Sequence, residues 1–275
     1  MLRSENFVVN LERDADKNVH MQSAFSAIDL PATFFAAVDG RTLSPESLEA
    51  STQPSSTLAL LGRQLTLGEI GCALSHKSIL QRIVASDLDY AMVCEDDIDF
   101  APNVPAILSA LDGMPAGWDI LLLGHHGPES WTSPTNCSVW YRKRIADIFV
   151  IRRPCERTYG TYCYCISRSG AKKILPYLER IVLPIDFYTG NPTLLNVFVL
   201  DKPAVAIASS SLASSNIEIE RKAAEGRIDI PQRTGVRRLL KTFVSALGLL
   251  AVVSQSQYRL LKLLRKLKPL APYSE

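Results

Sequence analysis

The sequence contains no Cys-x-x-Cys pair, no Gly-x-Gly-x-x-Gly, no P-loop and no unbroken apolar run long enough to span a bilayer. The missing glycine motifs exclude the usual dinucleotide and NTPase cradles, so any nucleotide must be held by side chains and a metal. The six cysteines (72, 94, 137, 155, 163 and 165) lack zinc-finger spacing, and Cys163-x-Cys165 alternates within an apolar, strand-like run. No zinc site is expected from that pattern. Leu2 to Leu11 lacks the apolar core of a secretory signal or anchor, which predicts reduced thiols and a cytoplasmic protein.

What is present is an ordinary globular composition, 47% hydrophobic and 21% charged over 275 residues. The net charge of +2 hides an asymmetry. Arg233 to Lys268 holds nine Lys or Arg and no acid, leaving 21 basic against 28 acidic residues elsewhere. An acidic body argues against nucleic-acid binding, and a basic tail argues for an anionic surface. Two regions are predicted: residues 1–231 as the main domain and 232–275 as a basic, leucine-rich helical tail.

The most informative stretch is Tyr90-Ala91-Met92-Val93-Cys94-Glu95-Asp96-Asp97. Its apolar run reads as a buried strand, and its acids fall at the C-terminal edge, where open α/β sheets bind ligands. Adjacent carboxylates repel unless a cation or strong donors neutralise them. In extended chain Glu95 and Asp97 point to one side and can share a divalent ion, while Asp96 points elsewhere. A solvated acidic turn before a helix would carry the same letters.

Around this stretch the pattern alternates strands and helices. Phe7 to Leu11 and Phe34 to Val38 read as strands flanking a helix that Asp14 or Asp16 begins. Residues 41 to 64, rich in Ser, Thr and Pro, read as a loop. Thr66 and Glu69 have capping-box spacing before a helix faced by Ile70, Leu74, Ile79 and Ile83. Gly71, Ala73 and Ser75 make that helix small on one stretch, so a backbone or a ligand can come close. His76 lies among them, as a packing histidine or a functional one. Asn103 to Leu111 reads as a helix, and Trp118 to Gly124 as a buried strand ending before His125 and His126, of which at most one could ligate a metal. Residues 127 to 158 read as irregular, a lid or a hairpin flap. Tyr159 to Ser167 alternates as a strand, with Gly160 where a backbone must pass closely, and Ser169 to Leu175 continues as a helix. Asp186 follows Pro184 in a rigid turn.

Taken together, Val9-Asn10-Leu11-Glu12-Arg13, Ala37-Val38-Asp39-Gly40, the Leu65 to His76 block, Glu95-Asp96-Asp97, Trp118-Asp119-Ile120, Gly160-Thr161, Ser167 to Ala171 and Pro184-Ile185-Asp186 resemble the family 25 glycosyltransferases. That family includes bacterial lipopolysaccharide sugar transferases and the collagen galactosyltransferases. A weaker echo runs through Ser215-Asn216-Ile217. The resemblance implies a GT-A type α/β fold, a mostly parallel sheet flanked by helices, a UDP-hexose donor, a divalent metal (Mn²⁺ or Mg²⁺) and inversion at the anomeric carbon. On it, Glu95 and Asp97 hold the metal; Asn10, Arg13, Asp39, His76 and Asp96 serve the donor; and Asp186, or else Asp119, is the catalytic base. Lys17 stands where the family often has a second arginine, and an ammonium cannot grip a diphosphate bidentately.

In the tail, Arg259, Lys262 and Lys266 share one helical face and Leu260, Leu264 and Leu267 the opposite one. The uncharged span Thr242 to Tyr258 is too short and too polar to favour a crossing, which predicts interfacial helices on the inner membrane near a glycolipid acceptor. A helical pair packed on the body is the alternative. The functional expectation is a hexosyltransferase (galactose or glucose) acting on a cell-surface glycan; a non-catalytic scaffold of the same fold is the other class kept open.

Overall fold

The computed structural model describes residues 2–128 and 133–208. The tail and the Ser215 to Ile217 echo lie outside the described residues. The chain opens as β1 (Ser4–Asn10), α1 (Ala15–Ala27) and β2 (Thr33–Ala36), and a 3₁₀ turn at Gly40–Thr42 leads to α2 (Pro45–Ser51) and α3 (Pro54–Leu61). These two short helices occupy the segment expected to be a loop. Each carries proline in its first turn, where the missing N–H costs nothing, and Ser44 caps α2 through the Ser47 amide. The Ser/Pro content therefore marks helix starts as much as loop.

The expected capping box is present at the head of α4 (Leu67–Ala85): Thr66 accepts from the Glu69 amide and Glu69 accepts from the Thr66 amide. Buried Glu69 is also gripped by Arg63 through two hydrogen bonds of 2.8 and 2.7 Å. The chain continues through β3 (Tyr90–Glu95), β4 (Ile98–Phe100), α5 (Val104–Ser109) and β5 (Ile120–Leu122) to a long hairpin, β6 (Cys137–Ile145) and β7 (Phe149–Pro154). It closes with β8 (Cys163–Ser167), α6 (Arg168–Ile174), α7 (Asp186–Thr189), β9 (Val197–Leu200) and β10 (Val205–Ile207).

Eight strands form one sheet in the order β2-β1-β3-β8-β5-β9-β7-β6. The pairs β1–β2, β1–β3 and β5–β9 are parallel; β8 runs antiparallel between β3 and β5, and β7 and β6 finish the far edge antiparallel. The sheet is thus mixed, within an α/β architecture. Along β3, Ala91 and Val93 enter the core on the α4 and α6 side, while Tyr90, Met92 and Cys94 enter the core on the α1 and α5 side. Both faces are covered, so β3 reads as a continuous apolar run.

The small residues of α4 admit a backbone. A methyl group on Gly71 would lie 2.5 Å from the Val38 carbonyl oxygen and 2.7 Å from the Gly40 amide. Ser75 Oγ accepts from the Val38 amide at 2.8 Å. Gly160, at φ +152°, packs likewise on the Gly124 carbonyl. None of the six cysteines is in a disulfide. Among the described residues no helix is long and apolar enough to cross a membrane.

Candidate active site at the end of β3

The parallel pairing of β1 with β3 sets Val9 beside Glu95, so Asn10 and the acid cluster leave the sheet at the same edge. A cleft of about 140 Å³ opens there, lined among others by Arg13, Lys17, Asp39, Cys72, Glu95, Asp96 and Asp97. Asp96 is tied down: Asn10 Nδ2 donates to it at 2.9 Å and Lys17 Nζ at 2.9 Å. Asn18 donates in turn to Asn10 Oδ1 at 3.0 Å, which orients the amide. Lys17 also reaches Asp97 at 3.5 Å. Its pKa is raised because Asp97 and Asp96 outweigh the opposing effect of burial.

Arg13 is ion-paired with Asp39, whose carboxylate also accepts from the Arg41 amide at 3.1 Å. Five of the predicted donor and metal residues therefore line one cleft, and Asn10 and His76 brace it from behind.

Glu95 has the least compensated environment of the three acids. Burial, followed by the charges of Asp97, Asp186 and Asp96, pushes its pKa well above the carboxylate range, with Lys17 opposing only weakly. Asp97 is also raised, by burial first, against the pull of Lys17. A cation drawn to this cluster would meet charge that the protein leaves unbalanced. Glu95 faces α4, where Cys72, His76 and Glu95 bring ligand atoms within 4.8 Å of one another.

A family model described as glycosyltransferase family 25 (LPS biosynthesis protein) matches residues 3–189. The chain belongs to glycosyltransferase family 25. Among its relatives, a glycosyltransferase 25 family member of Aedes aegypti is 33% identical over 197 residues, 67% of this chain and 30% of that protein. A Drosophila melanogaster member is 32% identical over 66% of this chain and 29% of its own length. A rat protein named probable inactive glycosyltransferase 25 family member 3 is 31% identical over 66% of this chain and 32% of its own. The family 25 chain thus aligns with under a third of each of these relatives.

The two candidate bases separate in space. Asp186 starts α7, where one carboxylate oxygen accepts from the Thr161 amide at 3.1 Å and from the Thr161 hydroxyl, itself 2.9 Å from Thr189 Oγ1. Its charge bears on Glu95 and on Tyr162, so it borders the cluster. Asp119 lies before β5, level with Ser167 and the start of β3, at the opposite edge of the sheet. It is fully buried, and both oxygens are taken by Lys173 at 2.7 Å, with Asn196 N at 2.7 Å and Ser169 Oγ at 3.3 Å. This geometry makes Asp119 a structural carboxylate and removes it as a base for chemistry at the cleft.

The paired histidines after β5 are likewise occupied in this family 25 chain. His125 uses both ring nitrogens, toward Thr135 Oγ1 (2.8 Å) and the Leu200 carbonyl (2.7 Å), and burial lowers its pKa. His126 engages the Gly127 carbonyl and stacks on Tyr159. His76 differs. It is fully buried, its Nδ1 lies 2.8 Å from Tyr164 Oη, and its Nε2 makes no hydrogen bond. Burial alone lowers its pKa to about 4, so the ring is neutral at physiological pH. Asn18 escaped the sequence reading, and Thr161 and Cys72 stood within quoted motifs without a role assigned to them. For Cys72 a signal was the i, i+4 spacing to His76, which puts both on one helical face.

Proposed function

We propose that this chain is a metal-dependent, inverting glycosyltransferase of GT-A type that moves galactose or glucose from a UDP-sugar to a cell-surface glycan such as a lipopolysaccharide core. The observation that carries the reading is the acid cluster at the end of β3, in which Glu95 is left uncompensated, facing a cleft flanked by Arg13 and Lys17. Glu95 and Asp97 would hold Mn²⁺ or Mg²⁺, which supplies Lewis-acid charge to a departing diphosphate. Arg13 and Lys17 add positive charge on the same side, and Asn10 fixes Asp96 for hydrogen bonds to ribose or sugar hydroxyls. Asp186, fixed through one oxygen by Thr161, takes the acceptor hydroxyl proton as that oxygen attacks the anomeric carbon. The bond to UDP breaks on the opposite face in the same step, and its electron pair leaves with the diphosphate.

The basic tail would hold the enzyme peripherally on the inner membrane, beside a glycolipid acceptor. The second reading, a non-catalytic scaffold, draws support from relatives named inactive and from Lys17, which already lies against Asp96 and Asp97. Calorimetry with UDP-galactose and UDP-glucose, with and without Mn²⁺, followed by mass analysis of acceptor products, separates the two. Metal-dependent binding with product supports the enzyme; binding without product under any donor supports the scaffold. Arg13→Ala should weaken UDP binding by about 1.5 kcal/mol, a modest loss because Asp39 already shares that guanidinium. Unchanged UDP affinity would remove the nucleotide from the end of β1.

A further inference from the structure

His76 Nε2 is a desolvated ring nitrogen with no hydrogen-bond partner, in a protein interior where such groups are nearly always satisfied. Two potential ligands stand beside it. Cys72 Sγ comes from one turn earlier on α4 and a Glu95 carboxylate oxygen from the end of β3, all within 4.8 Å of one another. Zinc bonds of about 2.3 Å to sulfur and 2.0–2.1 Å to nitrogen or oxygen, arranged tetrahedrally, place ligand atoms about 3.3–3.6 Å apart. Closing the observed cluster onto an ion therefore needs side-chain shifts of about 1 Å.

We propose that Cys72, His76 and Glu95 form a three-ligand site for a borderline-soft divalent cation of the zinc class. A mixed sulfur, nitrogen and oxygen set favours such an ion over Mg²⁺ or Ca²⁺, which prefer oxygen. The outer contact is also in place: with Nδ1–H donated to Tyr164 Oη, the Nε2 lone pair is fixed toward the cluster. Cys72 and Glu95 both line the cleft, so the fourth position opens onto it, as in sites that keep water or substrate as a ligand. Binding releases the Cys72 thiol proton to solvent and takes the imidazole as a neutral ligand. Zinc-finger spacing fails to reveal this site because its third ligand arrives from a strand 19 residues beyond the histidine.

Glu95 is shared with the donor metal proposed above, but this site needs neither Asp97 nor sugar transfer, so each reading can fail alone. The test uses the full chain, stripped with chelator and titrated with Co²⁺. A sulfur-to-cobalt charge-transfer band that Zn²⁺ abolishes is expected in the wild type and in Asp97→Ala, and absent in Cys72→Ser. Tyr164→Phe should weaken Co²⁺ binding by about 10- to 100-fold. No band in the wild type, a band surviving in Cys72→Ser, or its loss in a folded Asp97→Ala protein overturns the site. If Cys72→Ser does not fold, alkylation of wild-type Cys72 is followed by peptide mass with and without Zn²⁺. Protection by Zn²⁺ supports the site, and equal rates overturn it.

Discussion

The two edges of the sheet each hold an acid, Asp119 fully buried and Glu95 half-buried, and the protein treats them in opposite ways. Asp119, at the edge where β3 begins, meets an ammonium, a hydroxyl and a backbone amide within 3.3 Å. Glu95, where β3 ends, meets three other carboxylates, and Lys17 bonds to its neighbours instead. An acid whose oxygens are fully subscribed is part of the frame. One left uncompensated stores electrostatic free energy that only an incoming cation or proton relieves.

The largest effect should come from the uncompensated edge. If the proposed transferase reading holds, Asp97→Ala is expected to lower turnover about a thousand-fold with the fold intact, because on that reading its carboxylate supports leaving-group charge in the transition state and not the core. Product formation rates and circular dichroism check it; near wild-type turnover would end the contrast between the edges.

Next comes acid sensitivity, measured in chelator. His76 titrates at about 4 when folded and near 6.5 when unfolded. Between these values the unfolded chain binds the extra proton, so stability is full above about pH 6.5 and falls as pH drops toward 4. The loss amounts to about 3 kcal/mol. Urea denaturation at pH 7 and pH 4.5 should show a smaller drop for His76→Gln than for the wild type. Equal drops would assign the acid limb to other groups.

The smallest effect belongs to the subscribed edge. Asp119→Ala should cost about 2–3 kcal/mol of stability, at the low end for a broken buried pair because Lys173 can turn toward water. In whatever fraction remains folded, the affinity for UDP that the proposed function calls for should match that of the wild type. A selective loss of UDP binding would mean that the two edges communicate.

Strand β3, the capping box of α4 and the α/β alternation were legible because each is written in consecutive letters: an apolar run, a Thr-x-x-Glu spacing, a change of period. The acid cluster was legible for the same reason. What could not be read was pairing across distance. Nothing in the letters distinguishes Asp119 from Asp186, since both follow apolar or proline-bearing segments; the difference lies in Lys173 and Thr161, which the fold brings to them. Lys17 looked like a defective arginine, and from α1 it bridges two carboxylates in the turn between β3 and β4. Residues 41 to 64 looked like loop because prolines that start helices and prolines that interrupt them are the same letter. The hairpin β6–β7 was one of the two readings kept for its segment, and it leaves Trp140 and Ile148 more than two-thirds exposed at the sheet edge.

Helix α4 acts as an angular gauge for the cleft. Within eleven residues it sets its own start at Thr66, packs Gly71 on the Gly40 backbone, anchors Val38 through Ser75 and presents Cys72 and His76 to Glu95. Each residue advances the helix by about 100°. One residue inserted between Glu69 and Gly71 would leave the cap in place yet swing Gly71 and the three side chains downstream of it off their partners. Insertions are therefore tolerable before Thr66 or after Ala85, while the segment between is fixed in phase as well as in composition.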